Sequence, residues 1–254
     1  MKAKSIVSYC LFLAMLFIGL ATAQEMKPDA AKLYNDGNKF LKEGNYDVAL
    51  TKYNDALKID QDFRIYYQRG VAFKATGKLD SAKDSFENCL KQKPGFEAAY
   101  NALGGVYFAM GKYQDAADNF EKVLEAAKDN TIKEKIKQNL ALVYAKMGEE
   151  ASNDNDVKKA IEEYTKATNL SNYDAAYLAL AKAYSSVGDY DKCLTAAENA
   201  LKYKSTISKG GPYYYMGVAY KNKGEKVKAK DMFDKAKTDP TYKKLAEYEL
   251  TALR

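Results

Sequence analysis

The chemistry open to this chain is limited first by a missing residue. Its 254 residues include no histidine. No Ser-His-Asp or Cys-His relay can form, and no HExxH zinc site. Histidine is also the side chain that titrates unperturbed near neutral pH. A general acid or base would therefore have to be a retuned carboxylate, lysine, tyrosine or cysteine. One run concentrates oxygen ligands: Glu149, Glu150, Ser152, Asn153, Asp154, Asn155 and Asp156. Such groups can bind Ca²⁺, but their spacing matches no EF-hand loop, and Asp and Asn are ordinary helix caps. The glycine-to-lysine stretches Gly70–Lys78 and Gly105–Lys112 lack the GxxxxGK[ST] phosphate-loop spacing. Cys89 and Cys193 lie far apart and fall in small-residue positions, so both read as buried small hydrophobes rather than nucleophiles. No catalytic residue, metal site or cofactor is expected.

The elements that must carry the remaining residues begin after a targeting segment. Lys2 and Lys4 precede an apolar run from Ile6 to Leu20, and Ala21-Thr22-Ala23 has the small-x-small form cut by signal peptidase. Residues 1–23 are expected to be a signal peptide cleaved after Ala23, of bacterial rather than eukaryotic type. The protein is then periplasmic or extracellular, with no integral membrane span after cleavage. An uncleaved membrane anchor is the alternative. Cys10 lies inside the apolar run rather than after it, which disfavours a lipoprotein. Cleavage takes Lys2 and Lys4 with it, and the net charge falls from +6 to +4. That mild balance argues against a nucleic-acid binder.

Residues 24–254 repeat. Gly37, Gly70, Gly104 and Gly217 form one column, with Ala141 and Ala181 filling its gaps. Seven residues after each stands a second glycine: Gly44, Gly77, Gly111, Gly148, Gly188 and Gly224. Three residues after the first column are rings: Phe40, Phe73, Tyr107, Tyr144, Tyr184 and Tyr220. Beyond the second glycine come small, ring and small columns, among them Ala49, Tyr53 and Ala56 in the first unit and Ala82, Phe86 and Cys89 in the second. In the fourth unit the small residue, Ala160, is delayed by seven places. Intervals of three and four mark amphipathic helices. The second glycine predicts the helix stop, so each unit is a helix pair. No single pair can bury its own apolar face, so the pairs must stack.

This succession of Gly/Ala, aromatic, Gly, Ala, aromatic and Ala resembles the tetratricopeptide repeat over essentially the whole of 24–254. The units are about 30–62, 63–96, 97–133, 134–173, 174–209 and 210–241. Asp36 and Arg69 depart from the usual apolar residue before the first small column, and Lys226 from the usual ring. The resemblance implies an all-α, right-handed solenoid of six helix pairs, and residues 242–254 read as a capping helix. It also implies protein–protein interaction without chemistry of its own, through a concave groove lined by each unit's first helix.

Five positions per unit share that predicted face. The basic residues there are Lys42, Arg64, Lys74, Lys135, Lys146, Lys182 and Lys221. The aromatic ones are Tyr34, Tyr67, Phe108 and Tyr214, and Asn38, Asn101 and Gln138 are neutral and polar. None of the thirty positions is acidic, although about four acids would fall there by chance. A basic, Tyr-rich groove suits an acidic protein or peptide segment, since tyrosine offers rigid contact area and lysine steers. The family's clamp for chaperone C-terminal carboxylates is not matched: its positions hold Tyr34, Asn38, Gln68, Ala98 and Ala102, of which Asn38 alone fits. The expectation is a non-enzymatic scaffold or adaptor of the bacterial periplasm or cell envelope. A holdase-like chaperone for exported proteins is the alternative. The 149–156 run reads as a seven-residue insertion, about two helical turns, that lengthens both helices of its pair.

Overall fold

A computed structural model describes residues 25–253, so the expected signal segment lies outside the described residues. Thirteen helices account for the fold, with no strand among the described residues. Six antiparallel pairs follow in order: α1 (Pro28–Lys42) with α2 (Tyr46–Ile59), α3 (Phe63–Ala75) with α4 (Leu79–Gln92), and α5 (Glu97–Ala109) with α6 (Tyr113–Ala126). Then come α7 (Asn130–Asn153) with α8 (Val157–Leu170), α9 (Asp174–Ser186) with α10 (Tyr190–Lys202), and α11 (Gly210–Asn222) with α12 (Lys226–Ala236). A last helix, α13 (Lys243–Ala252), closes the array. Each helix packs on its neighbours in sequence, and the result is an all-α solenoid.

Two kinds of glycine build the pairs. Gly44, Gly77, Gly111, Gly188 and Gly224 turn the chain between partners with φ of 73–80°, a left-handed conformation that costs glycine nothing. Gly37, Gly70, Gly104 and Gly217 sit inside first helices, against a ring of the second. A Cβ at Gly37 would lie 2.6 Å from Tyr53, and one at Gly70 2.7 Å from Phe86. These rings are buried, so the missing side chain sets how closely the helices approach. In the fifth pair both facing positions, Ala181 and Ala197, are alanines and fully buried.

The fourth pair departs from the sequence expectation in a definite way. Gly148 does not end a helix. It is buried within α7, and a Cβ there would stand 2.7 Å from Tyr164 of α8, the relation that Gly37 has to Tyr53. The turn falls seven residues later, at Asn155, which adopts φ 60°; asparagine tolerates that region better than most residues. Only the first helix lengthens: α7 has 24 residues, while α8 keeps the 14 of α2, α4 and α6. Toward the preceding pair, α7 keeps the expected phase. The Tyr144 hydroxyl donates to Glu121 of α6, as the Tyr107 hydroxyl donates to Glu87 of α4 at 3.0 Å. One helix thus serves two registers, and the array slips by two turns, about 10 Å, between its third and fourth pairs.

The C-terminal end is closed from within. Ala246, Leu250 and Leu253 of the α13 region pack with Phe233, Tyr214 and Val218. The cover is incomplete, since Tyr248 on the outer face is 72% exposed. Between α10 and α11 the chain is pinned by Asp174, fully buried at the start of α9. Its carboxylate accepts the backbone N–H groups of Ser205 (2.6 Å), Thr206 (2.6 Å) and Ile207 (3.1 Å), and the Thr206 hydroxyl (2.8 Å). Burial pushes its pKa up, but these donors outweigh burial and hold it well below the usual carboxylate range.

Candidate partner-binding groove

First helices meet directly at α1–α3, α3–α5 and α9–α11. The packing of α7 on α5 and on α9 is sparser than these among the described residues. Clefts open on both sides of α7, and most of the accessible groove residues gather there.

The first cleft, of about 420 Å³, brings together Tyr67, Lys74, Asn101 and Phe108 of the expected groove face. It adds Val71, Asn139 and Leu142, which the sequence did not single out because no charge or ring marks them. Tyr67 is fixed by Phe86 (ring centroids 5.7 Å) and Phe96 (5.4 Å, edge-on). Burial raises the pKa of its phenol, which keeps the O–H as a neutral donor. Lys74 reaches across α5 because Gly105 has no side chain: a Cβ there would lie 3.1 Å from the ammonium nitrogen. Phe108 rests against Tyr113 at 5.5 Å. The result is an aromatic wall, one cation and two amides, which suits an amphipathic peptide segment.

Beside it, Lys135 and Asn101 border an edge cleft of about 570 Å³ with Phe96 and Ile132. On the other side of α7 a cleft of about 590 Å³ contains Lys146 and Lys182. Here the slipped register adds an acid to the face. Glu149 lines the cleft and holds the Lys146 ammonium at 2.7 Å.

Most of the remaining expected residues are engaged by the chain itself. Arg64 clasps Asp62 in two bonds, Nε at 2.8 Å and Nη2 at 2.7 Å. Its charge is answered at the start of α3, where Asp62 also caps the helix. Asn38 Oδ1 accepts the Tyr53 hydroxyl at 2.8 Å, and Tyr34 lies against the same ring at 6.3 Å. Tyr214 packs with Tyr215, Phe233 and Tyr242, and Lys221 pairs with Glu249 of α13 at 2.6 Å. Gln138 and Lys42 are exposed. The basic character expected of the whole groove is therefore reduced, because Arg64, Lys146 and Lys221 are already paired.

The thiols are inert in this setting. Burial pushes both Cys89 and Cys193 up to about 12. Among the described residues no three His, Cys, Asp or Glu side chains group as metal ligands, and no helix is long and apolar enough to cross a membrane.

Models of the TPR and tetratricopeptide repeat families match residues 37–77, 74–136, 175–206 and 213–241. The chain is a tetratricopeptide repeat protein. The longest stretch between matched repeats, 137–174, holds most of α7 and all of α8, where the register slips. Small glutamine-rich tetratricopeptide repeat-containing protein 2 of Mycosarcoma maydis is 32% identical over 107 residues, 42% of this chain. The protein of the same name in Saccharomyces cerevisiae is 31% identical over 144 residues, 52% of this chain. The chain spans only 30% of the first and 41% of the second. A TPR repeat-containing protein of Methanocaldococcus jannaschii is 25% identical over 238 residues, 85% of this chain and 39% of that protein. Two solved TPR folds are similar. MamA from Desulfovibrio magneticus RS-1 has a TM-score of 0.52 at 24% identity, covering 70% of this chain and 95% of that one. YrrB, described as a TPR protein with an unusual peptide-binding site, has a TM-score of 0.52 at 22% identity, covering 78% and 96%. This tetratricopeptide repeat chain belongs to a class of interaction scaffolds and is not an enzyme.

Proposed function

We propose that the protein is an exported adaptor that grips a segment of a partner protein in the clefts beside α7. The observation that carries this is the convergence of Tyr67, Lys74, Asn101 and Phe108, from two successive first helices, on one cleft of about 420 Å³. Such a cleft offers aromatic area for an apolar side chain, and amide and ammonium donors for backbone carbonyls or a carboxylate. Export rests on the apolar run and the Ala-x-Ala sequence before Gln24. A periplasmic or extracellular adaptor of the bacterial envelope fits both. Several similar proteins have co-chaperone names, among them Hsp70-Hsp90 organizing protein 2 of Arabidopsis thaliana, 32% identical over 95 residues. The residues at the carboxylate-clamp positions differ here, so a partner of another kind is proposed.

The test is cross-linked capture from envelope extract of the source organism, using wild-type protein and a Tyr67→Ala, Lys74→Glu variant at low and moderate salt. One dominant, salt-sensitive partner lost with the variant establishes an adaptor. Equal capture by both proteins refutes the groove. Ile132 and Leu142 of α7, 44% and 37% exposed beside these clefts, motivate a second reading as a holdase. That reading requires suppressed aggregation of several unrelated unfolded proteins.

A further inference from the structure

The register slip in α7 has a consequence for what the groove can recognise. In the cleft between α7 and α9 the floor is made of Ala145, Ala175, Ala176, Ala179 and Ala183. Tyr164 and Tyr173 line it as well, and Leu142, Val157, Ser152 and Asn153 also border it. The charges are equally specific. Lys146 is committed to Glu149 at 2.7 Å. Lys182 is exposed and has no carboxylate within 4.0 Å among the described residues. One unanswered cation therefore borders a roomy hollow of mixed lining, apolar along the alanines of α9 and polar along Glu149, Ser152 and Asn153 of α7. Leu142 borders this cleft and also the first one, so a single extended segment can pass over it from one to the other.

We infer that the α7–α9 cleft is a second recognition subsite, which takes an aromatic side chain standing beside a carboxylate in the bound segment. The aromatic ring covers the alanine floor, with edge contacts to the two tyrosines. The carboxylate meets Lys182. The subsite exists because Gly148, rather than Ala141, faces the ring of α8, which carries Glu149 and Ser152 to the cleft. It rests on the proposal that the groove binds a peptide segment at all, and the experiment separates the two.

A phage-displayed library of random 12-residue peptides is panned on the purified protein, and the selected sequences are synthesised. Their affinities are measured by fluorescence anisotropy against wild type, Tyr67→Ala, Lys182→Ser and Ala179→Leu, each first shown to melt cooperatively. The expected peptides carry Phe, Tyr or Trp within two residues of Asp or Glu. Lys182→Ser weakens them about tenfold and Ala179→Leu removes the advantage of the aromatic residue, with Tyr67→Ala also weakening binding. Should Ala179→Leu fail to fold, the exposed Lys182→Ser decides alone. Peptides that need Tyr67 but bind Lys182→Ser and Ala179→Leu as they bind wild type overturn the subsite and leave the groove standing. An absence of selected peptides, or binding indifferent to Tyr67→Ala, overturns both.

Discussion

Gly148 of α7 lies so close to the ring of Tyr164 on α8 that a Cβ would be 2.7 Å from its Cδ1 atom. This contact marks the true phase of the fourth helix pair. Gly148→Ala gains about 1 kcal/mol in helix propensity but forces a buried ring to move, an overpacking cost of about 1–3 kcal/mol. A net loss of about 1 kcal/mol is expected in urea unfolding. Gly105→Ala is the control. Its only close neighbour is the flexible end of Lys74, at 3.1 Å, so the propensity gain should survive. Equal effects at the two positions would contradict the packing described.

Asn155 takes the turn position that glycine occupies in the other pairs, with φ 60°. Asn155→Gly should be neutral or stabilising by up to about 0.5 kcal/mol, since glycine meets no steric penalty there. Asn155→Val should cost more than about 1 kcal/mol, because a branched side chain resists the left-handed region. Thermal melts of the two variants check the sign of each effect.

Asp174 ties the start of α9 to the segment leading into α11. Asp174→Asn removes the charge and turns one acceptor into a donor facing backbone N–H groups. A loss of about 3 kcal/mol is expected, the scale of breaking a buried charge-assisted network. The pH dependence has a definite sign. The folded pKa lies below the unfolded value of about 3.9, so the stabilisation is complete above pH 4–5. It is lost as pH falls through the folded pKa. The difference in unfolding free energy between wild type and Asp174→Asn should be flat from about pH 5 to pH 8 and shrink below about pH 4. A difference that grew on acidification would contradict the carboxylate's role.

Cys89 and Cys193 should resist thiol reagents in the folded protein at pH 8, because both are buried and their pKa values are about 12. Mass spectrometry of labelled peptides should find them modified only after denaturant is added. Rapid native labelling of either one would show that its pair opens locally.

Most of the fold could be read from steric pairs in the sequence. Gly37 with Tyr53, Gly70 with Phe86, Gly104 with Phe120 and Gly217 with Phe233 are each a glycine and a ring sixteen residues apart. Side-chain volume alone fixes such pairs. Gly148 and Tyr164 have the same interval, which was the available signal for the true phase of the fourth pair. Ala141 was an effective decoy, because seven residues on an α-helix return to nearly the same face. Tyr144 follows Ala141 in the expected phase and does bond to α6. The groove was less legible than the fold. Spacing placed Tyr67, Lys74, Asn101 and Phe108 on one face, and the structure gathers them in one cleft. Two of the answered cations pair locally, Arg64 with Asp62 two residues before it and Lys146 with Glu149 three residues after it, whereas spacing could not show that Glu249 of α13 reaches Lys221. That last approach depends on tertiary placement rather than on periodicity.

The most direct test of the groove replaces Asn101, exposed in the first cleft, with a photo-crosslinking phenylalanine analogue in the source organism. Asp118, exposed on α6, receives the same analogue as a comparison. The expected result is one discrete, light-dependent adduct from position 101 and none of that mass from 118, with the adduct lost when Tyr67→Ala is added. An adduct of equal yield from both positions, or one that survives Tyr67→Ala unchanged, would contradict binding in the groove.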